Sequence, residues 1–334
     1  MHEAEVLTPK ETGSPVVALH FRVGRFFNPD VPDHNFWQAL RWMRTRVPEP
    51  WRPWIPSEPG PPPPSRVAGS TLRTTFINHA TFLLQTAGIN ILTDPVWSLR
   101  VSPVQWTGPK RHRAPGIRLE DLPPIDAILI SHNHYDHFDR PTLRTLARIH
   151  RPAVFCPLGL ARPLLRLGFR EIHQLDWGQS VGWRGIPVHC VRAQHFAART
   201  PFDRNRTLWC GWVLCPDGGN LYFAGDSGFG SFFQQIGGAF GPIRLALLPI
   251  GAYEPEWFMG PVHMTPEQAV EVHALVQAQT TIPMHYGTFS LADDGESAPL
   301  DRLRAALEGD SRAAEFLVLQ EGEGQVVPEL RTQP

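Results

Sequence analysis

Apolar residues in this chain gather into short runs that stop abruptly at a histidine or an aspartate. Ile125-Asp126-Ala127-Ile128-Leu129-Ile130 ends in Ser131-His132-Asn133-His134-Tyr135-Asp136-His137. Runs this short and this rich in aliphatic residues predict buried strands, each handing over to a loop at its C-terminal edge. The signature recurs. Val188 to Gln194 alternates and delivers His195, Leu221 to Gly225 delivers Asp226, and Thr281 to Met284 delivers His285. Ile89 to Thr93 ends at Asp94, and Leu245 to Ile250 leads into Tyr253 and Glu254. Helical spacing is rarer. Asp33 is placed to cap a helix through about Arg46 that carries Phe36, Trp37, Leu40 and Met43. Pro141 to His150 predicts a second helix, and Thr265-Pro266-Glu267-Gln268 opens a third with a capping box. Leu300 to Leu307 predicts a fourth, before a strand at Phe316 to Leu319.

Organisation changes near residue 70. Val47 to Pro56 and Pro59 to Pro64 hold too many prolines for helix or central strand, because proline fixes φ and donates no hydrogen bond. Residues 1–70 therefore read as an N-terminal extension, an arm rich in proline and aromatic rings. Residues 71–330 read as one α/β domain in which strands dominate.

His132, His134, Asp136 and His137 put four metal-competent groups into six residues. They repel one another when protonated and are costly to desolvate, so a bound cation is the simplest partner for all of them. His132 and His134, two apart, suit one ion. Asp136 and His137, adjacent, point elsewhere and suit a second. Strand ends at His195, Asp226 and His285 would gather the remaining donors at the same rim.

Other candidates carry two readings each. Asp94 either orients a ligand histidine or forms the turn before Pro95. His79 lines the metal rim or is a satisfied core histidine. His263, just ahead of the capped helix, reaches the substrate or is a loop residue. Tyr253 and Glu254 are read as lining the cleft, and Lys110, Arg111 and Arg113 as positive charge for a phosphate or as solvated surface.

Composition narrows the classes. The chain has 334 residues, 42% hydrophobic content and a mean hydropathy of −0.21, ordinary for a soluble globular protein. A net charge of −1 argues against nucleic acid as partner. Cys156, Cys190, Cys210 and Cys215 show no C-x-x-C spacing and read as reduced core residues. Met1-His2-Glu3-Ala4-Glu5 is acidic and lacks the apolar core of a signal peptide, and no run approaches a membrane span, so a cytoplasmic protein is expected.

His-x-His-x-Asp-His followed by distant His, Asp and His resembles the metallo-β-lactamase superfamily, specifically its dinuclear zinc hydrolases. Thr75 to Leu84, Thr93 to Trp97, Gly108 to Arg111, Ala193 to Phe196, Phe223 to Gly228, Pro249 to Pro255 and His285 to Phe289 are similar to the branch of N-acylphosphatidylethanolamine-hydrolysing phospholipases D. Tyr286 departs from the Trp usual in that branch, at a position expected in the pocket wall. The resemblance implies an αββα sandwich and two zinc ions per chain. His132, His134 and His195 would hold one ion, Asp136, His137 and His285 the other, with Asp226 bridging. Asp136, Asp226 and His263 would then act at the reacting centre, turning a phospholipid into phosphatidate and an N-acylethanolamine.

A lipid substrate implies reversible contact with a membrane surface. Trp37, Trp42, Trp51 and Trp54, interleaved with Arg41, Arg44, Arg46 and Arg52, suit a bilayer interface. The other reading, favoured by the cost of exposing tryptophan in a soluble chain, is that those rings pack the arm onto the domain or across a homodimer interface. A lactonase or other small-molecule hydrolase on the same metal centre is the alternative function.

Overall fold

The computed structural model describes residues 5–7 and 20–331. The acidic stretch before residue 5 lies outside the described residues. Two sheets face one another. The strands are β1 Glu5–Leu7, β2 Phe21–Arg22, β3 Arg25–Phe26, β4 Leu72–Asn78, β5 Thr81–Thr86, β6 Ile89–Thr93, β7 Ala127–Leu129 and β8 Ala153–Pro157. They continue with β9 Glu171–Leu175, β10 Ser180–Trp183, β11 Ile186–Val191, β12 Gly211–Leu214, β13 Asn220–Phe223, β14 Ile243–Pro249, β15 Thr281–Met284 and β16 Gly324–Val327. The first sheet runs β1-β9-β8-β7-β6-β5-β4-β16 and the second β10-β11-β12-β13-β14-β15. β2 and β3 form a separate hairpin.

The helices are α1 Phe36–Thr45, α2 Arg140–Ile149, α3 Ala161–Leu167, α4 Phe232–Phe240, α5 Glu256–Met259, α6 Pro266–Leu275 and α7 Ala298–Leu307. Adjacent residues of one strand enter different cores. Phe76, Phe82, Leu84, Ile91, Leu129 and Phe155 join Val188, Trp212, Tyr222 and Leu247 between the sheets. Ile77, Leu83, Leu92, Ile128 and Val154 instead meet Leu143, Leu146 and Leu164 of α2 and α3. Burial on both faces is why these strands read as unbroken apolar runs rather than as alternation. The outcome is an αββα sandwich.

Two expectations shift. The cap of α1 is Asn35, whose side chain accepts from the Gln38 N–H while Gln38 returns the bond. Asp33 is occupied by Asn205 and Arg204 instead. Phe316 to Leu319 forms no strand: Phe316 makes a single bridge to Thr281 after a 3-10 turn, and the ladder stops. Among residues 46–68 there is neither helix nor strand. That segment does not hang free, since Glu49, Ile55 and Gly60 donate backbone hydrogen bonds to Asp293, His112 and Gly116. Cys156, Cys190 and Cys210 are buried free thiols, and Cys215 is half-buried.

Candidate metal centre

Strand ends on both sheets converge where β6, β7, β13 and β15 terminate. His132, His134, Asp136 and His137 follow β7, Asp226 follows β13 and His285 follows β15. His195 lies four residues beyond β11, where the backbone has left the ladder but is pinned by Asn28 Nδ2 donating to its carbonyl. All seven are buried or half-buried. His79, Asp94 and His285 take positive φ angles of 49°, 31° and 63°. Left-handed non-glycine residues are costly and persist where surroundings over-determine them, as at functional sites.

The donor atoms form two groups around one carboxylate. His132 Nε2 lies 2.8 Å from His134 Nδ1, and His195 Nε2 lies 3.1 Å from that same atom. Asp136 Oδ2 lies 3.2 Å from His137 Nε2 and 3.4 Å from His285 Nε2. Asp226 Oδ2 stands between the groups, 3.8 and 3.7 Å from the Nε2 atoms of His132 and His195 and 3.1 Å from those of His137 and His285. Four nitrogens at 2.0–2.1 Å around one zinc would stand about 3.3 Å apart. The separations bracket that value. His137 Nε2, His285 Nε2 and Asp226 Oδ1 are buried without a hydrogen-bond partner. Orphans of this kind are rare in a folded interior, and divalent cations fit them.

Outer contacts aim the inner ones. His137 Nδ1 lies 2.7 Å from Asp94 Oδ2, and Ser131 N–H donates to Asp94 Oδ1 at 2.8 Å. Asp94 thus contacts both the His137 ring and the Ser131 amide, more than a turn former before Pro95 would need. His195 Nδ1 donates to the Val262 carbonyl at 2.9 Å, and Ser131 Oγ meets His132 Nδ1 at 2.8 Å. His79 Nε2 donates to Asp136 Oδ2 at 2.9 Å, so this buried histidine reaches the donor cluster through a carboxylate and does not line the cavity.

Electrostatics splits the histidines. Burial pushes His132 and His195 well below the usual imidazole value, and His134 down to about 4. Burial opposes charge on His285 as well, but Asp226 and Asp136 outweigh it and raise it to about 9. His137 is raised by Asp226, Asp136 and Asp94 against the same burial. The Asp136 and Asp226 carboxyls are desolvated yet held well below the usual range, His137 being the leading cause for both. His263 is pushed down to about 3 by burial and is therefore neutral.

A cavity of about 810 Å³ opens onto His134, Asp136, Asp226, His263 and His285. Its walls are largely apolar and include Val31, Trp42, Phe196, Phe258, Met259 and Leu291. The segment from Asn28 to Trp42 builds one side, with Trp42 stacked on Phe258 at 4.9 Å. That contribution is invisible in the sequence, since it joins residues more than 200 positions apart.

Several expected residues fall elsewhere. Tyr253 and Glu254 lie outside this cavity, in a separate pocket where Arg302 stacks on the Tyr253 ring at 4.6 Å and donates to Glu254. The chain turns away from the site at Ala252, whose φ is 61°. Arg111 is buried and donates to the Ser98 and Val96 carbonyls, and Arg113 is committed to Glu321. Neither of them, nor Lys110, lines the cavity. Tyr286 packs on Phe76 in the core between the sheets rather than in the pocket wall. Two arginines escaped the sequence reading: Arg199, which donates to the Asn133 and Phe138 carbonyls and braces the histidine loop, and Arg204, which lines the cavity.

The Beta-lactamase superfamily domain family model matches residues 89–286. The chain is 38% identical over 269 residues to the N-acyl-phosphatidylethanolamine-hydrolyzing phospholipase D 1 of Caenorhabditis elegans, an alignment spanning 76% of this chain and 75% of that protein. It is 38% identical over 299 residues to an uncharacterized protein of Mycobacterium tuberculosis, spanning 86% and 80%. Among solved structures, the metallo hydrolase Igni18 of Ignicoccus hospitalis matches with a TM-score of 0.60 at 24% identity, covering 78% of this chain and 100% of that one. That last likeness speaks to the fold.

Proposed function

This chain belongs to the metallo-β-lactamase superfamily, and from that membership we propose that it is a dinuclear zinc phosphodiesterase of phospholipase D type. Its substrate is an N-acylphosphatidylethanolamine-like lipid, and its products are phosphatidate and an N-acylethanolamine. Metallo-hydrolase chemistry is the coarser statement, common to the family, the relatives and the buried His and Asp clusters. The finer one is carried by the 38% identity over 269 residues to the N-acyl-phosphatidylethanolamine-hydrolyzing phospholipase D 1 of Caenorhabditis elegans, and the position of Asp226 supports its dinuclear centre. Asp226 Oδ2 sits within 3.8 Å of four imidazole nitrogens at the floor of an apolar cavity large enough for a lipid head group and part of a chain.

His132 Nε2, His134 Nδ1 and His195 Nε2 would hold one ion and Asp136 Oδ2, His137 Nε2 and His285 Nε2 the other, with Asp226 shared. Two such ions supply an acidified water near neutral pH and offset charge on phosphoryl oxygens. The chain's own residues do the rest. Asp94 and the Val262 carbonyl hold protons on the outward nitrogens of His137 and His195, leaving lone pairs aimed inward. Trp42, Phe196 and Phe258 exclude bulk water and accept an acyl chain. Neutral His263 offers a hydrogen bond to substrate rather than a charge. Among the described residues no helix is long and apolar enough to cross a membrane. Reversible contact with a lipid surface is the reading we favour, with Trp37 and Met43 exposed on α1.

Zinc-replete protein incubated with a mixed phospholipid extract tests the proposal by lipidomics. Loss of N-acylphosphatidylethanolamine matched by phosphatidate and N-acylethanolamine is expected. Unchanged lipids, with turnover of lactones alone, would replace it with the small-molecule hydrolase.

A further inference from the structure

We infer that Arg204 is the side chain that selects an anionic substrate at the mouth of the metal cavity, binding an oxygen of the phosphodiester. This rests on the phosphodiesterase reading above. Among the described residues lining the cavity, Arg204 is the one with a permanent positive charge. The other nearby cations are spent: Arg199 on two backbone carbonyls, Arg111 on three and Arg113 on Glu321.

Its setting points to a ligand. The guanidinium lies 4.4 Å from the centroid of Phe196, which packs at 4.5 Å against the ring of His134 and at 4.9 Å against that of His195. The cation therefore stands one aromatic ring away from two of the metal-competent histidines. A planar fork of donors resting on a ring is well suited to an oxyanion.

Arg204 is only weakly tied to its acidic partner. Its ion pair is with Asp33 Oδ1 at 3.5 Å, with both side chains more than one-third exposed, a geometry that contributes little. Asp33 Oδ2 is separately held by Asn205 Nδ2 at 2.9 Å, so Asp33 stays in place when the guanidinium turns inward. Asp33 thus competes with the substrate for Arg204.

The test compares zinc-loaded wild type with R204Q, R204K, D33N and R206Q. Arg206 lies on the same loop, exposed and outside the cavity, and controls for net charge. Two readouts are used: calorimetric binding of inorganic phosphate, and kinetics on bis(p-nitrophenyl) phosphate beside its neutral triester. R204Q should bind phosphate about tenfold more weakly and raise KM for the diester by about as much, with a far smaller change in kcat. R204K should fall between, D33N should tighten phosphate, and R206Q should match wild type. Equal phosphate affinity in wild type and R204Q would overturn the assignment, as would equal KM increases on diester and triester. If even wild type leaves the diester uncut, the phosphodiesterase reading fails, and the phosphate titration still decides on Arg204.

Discussion

The imidazole of His137 and the carboxylate of Asp94 face each other at 2.7 Å with neither side chain exposed to solvent. Asp94 leaves the end of β6 and His137 the loop after β7, so one contact locks two strand ends and fixes which nitrogen of His137 looks inward. Replacing Asp94 by Asn should weaken binding of the ion held with Asp136 and His285 by about 10- to 100-fold. Competition with a chromophoric chelator measures this. Unchanged affinity for both ions would remove the orienting role.

Asp226→Asn should abolish turnover and release one zinc in preference to the other, because an amide offers one good acceptor oxygen where the carboxylate offers two. Elemental analysis beside an activity assay reads both effects. An active variant with two zinc ions would exclude a bridge at this position.

Gly225→Ala probes how the bridge is delivered. Gly225 has a φ of 61°, and an added Cβ would lie 2.6 Å from Ser131 Cβ and 2.9 Å from the Cys210 carbonyl. Left-handed strain alone costs about 1–3 kcal/mol, and Ser131 cannot yield without disturbing Asp94 and His132. Thermal denaturation should show a lower Tm together with reduced zinc content. A variant with the Tm and metal content of wild type would show that the backbone here is slack.

The tryptophans of the N-terminal segment divide by burial. Trp51 donates to the Asp294 carbonyl at 2.9 Å and packs on His112 at 4.8 Å, while Trp42 lines the cavity. Trp51→Ala should therefore lose activity equally on vesicles and on a soluble short-chain phosphodiester. Trp37, 72% exposed, should behave otherwise: Trp37→Ala should lose activity on vesicles in particular. Equal effects of Trp37→Ala on both substrates would argue against α1 as the membrane contact.

The donor set was legible because the donors follow the ends of strands: β7 and β15 are buried along their whole length and announce themselves as apolar runs, while β11, ahead of His195, shows the alternation of a half-exposed strand. Asp94 was legible for the same reason, being the residue after β6. Tyr253 and Glu254 also follow a buried strand, yet the left-handed Ala252 turns them into another pocket, and nothing in the residue types foretells that turn. Arg204 and Trp42 were hidden differently. Their roles depend on contacts between the segment around Asp33 and loops more than 150 residues away, and no periodicity encodes such a meeting.

In the proposed reaction water attacks phosphorus in a lipid diester. Hydrolysis of N-acylphosphatidylethanolamine by the zinc-loaded protein in ¹⁸O-labelled water, with mass spectrometry of both products, tests it most directly. One heavy oxygen should appear in phosphatidate and none in the N-acylethanolamine. Label in the alcohol would mean that carbon is attacked instead, and no lipid cleavage at all would leave a metallo-hydrolase acting on some other substrate.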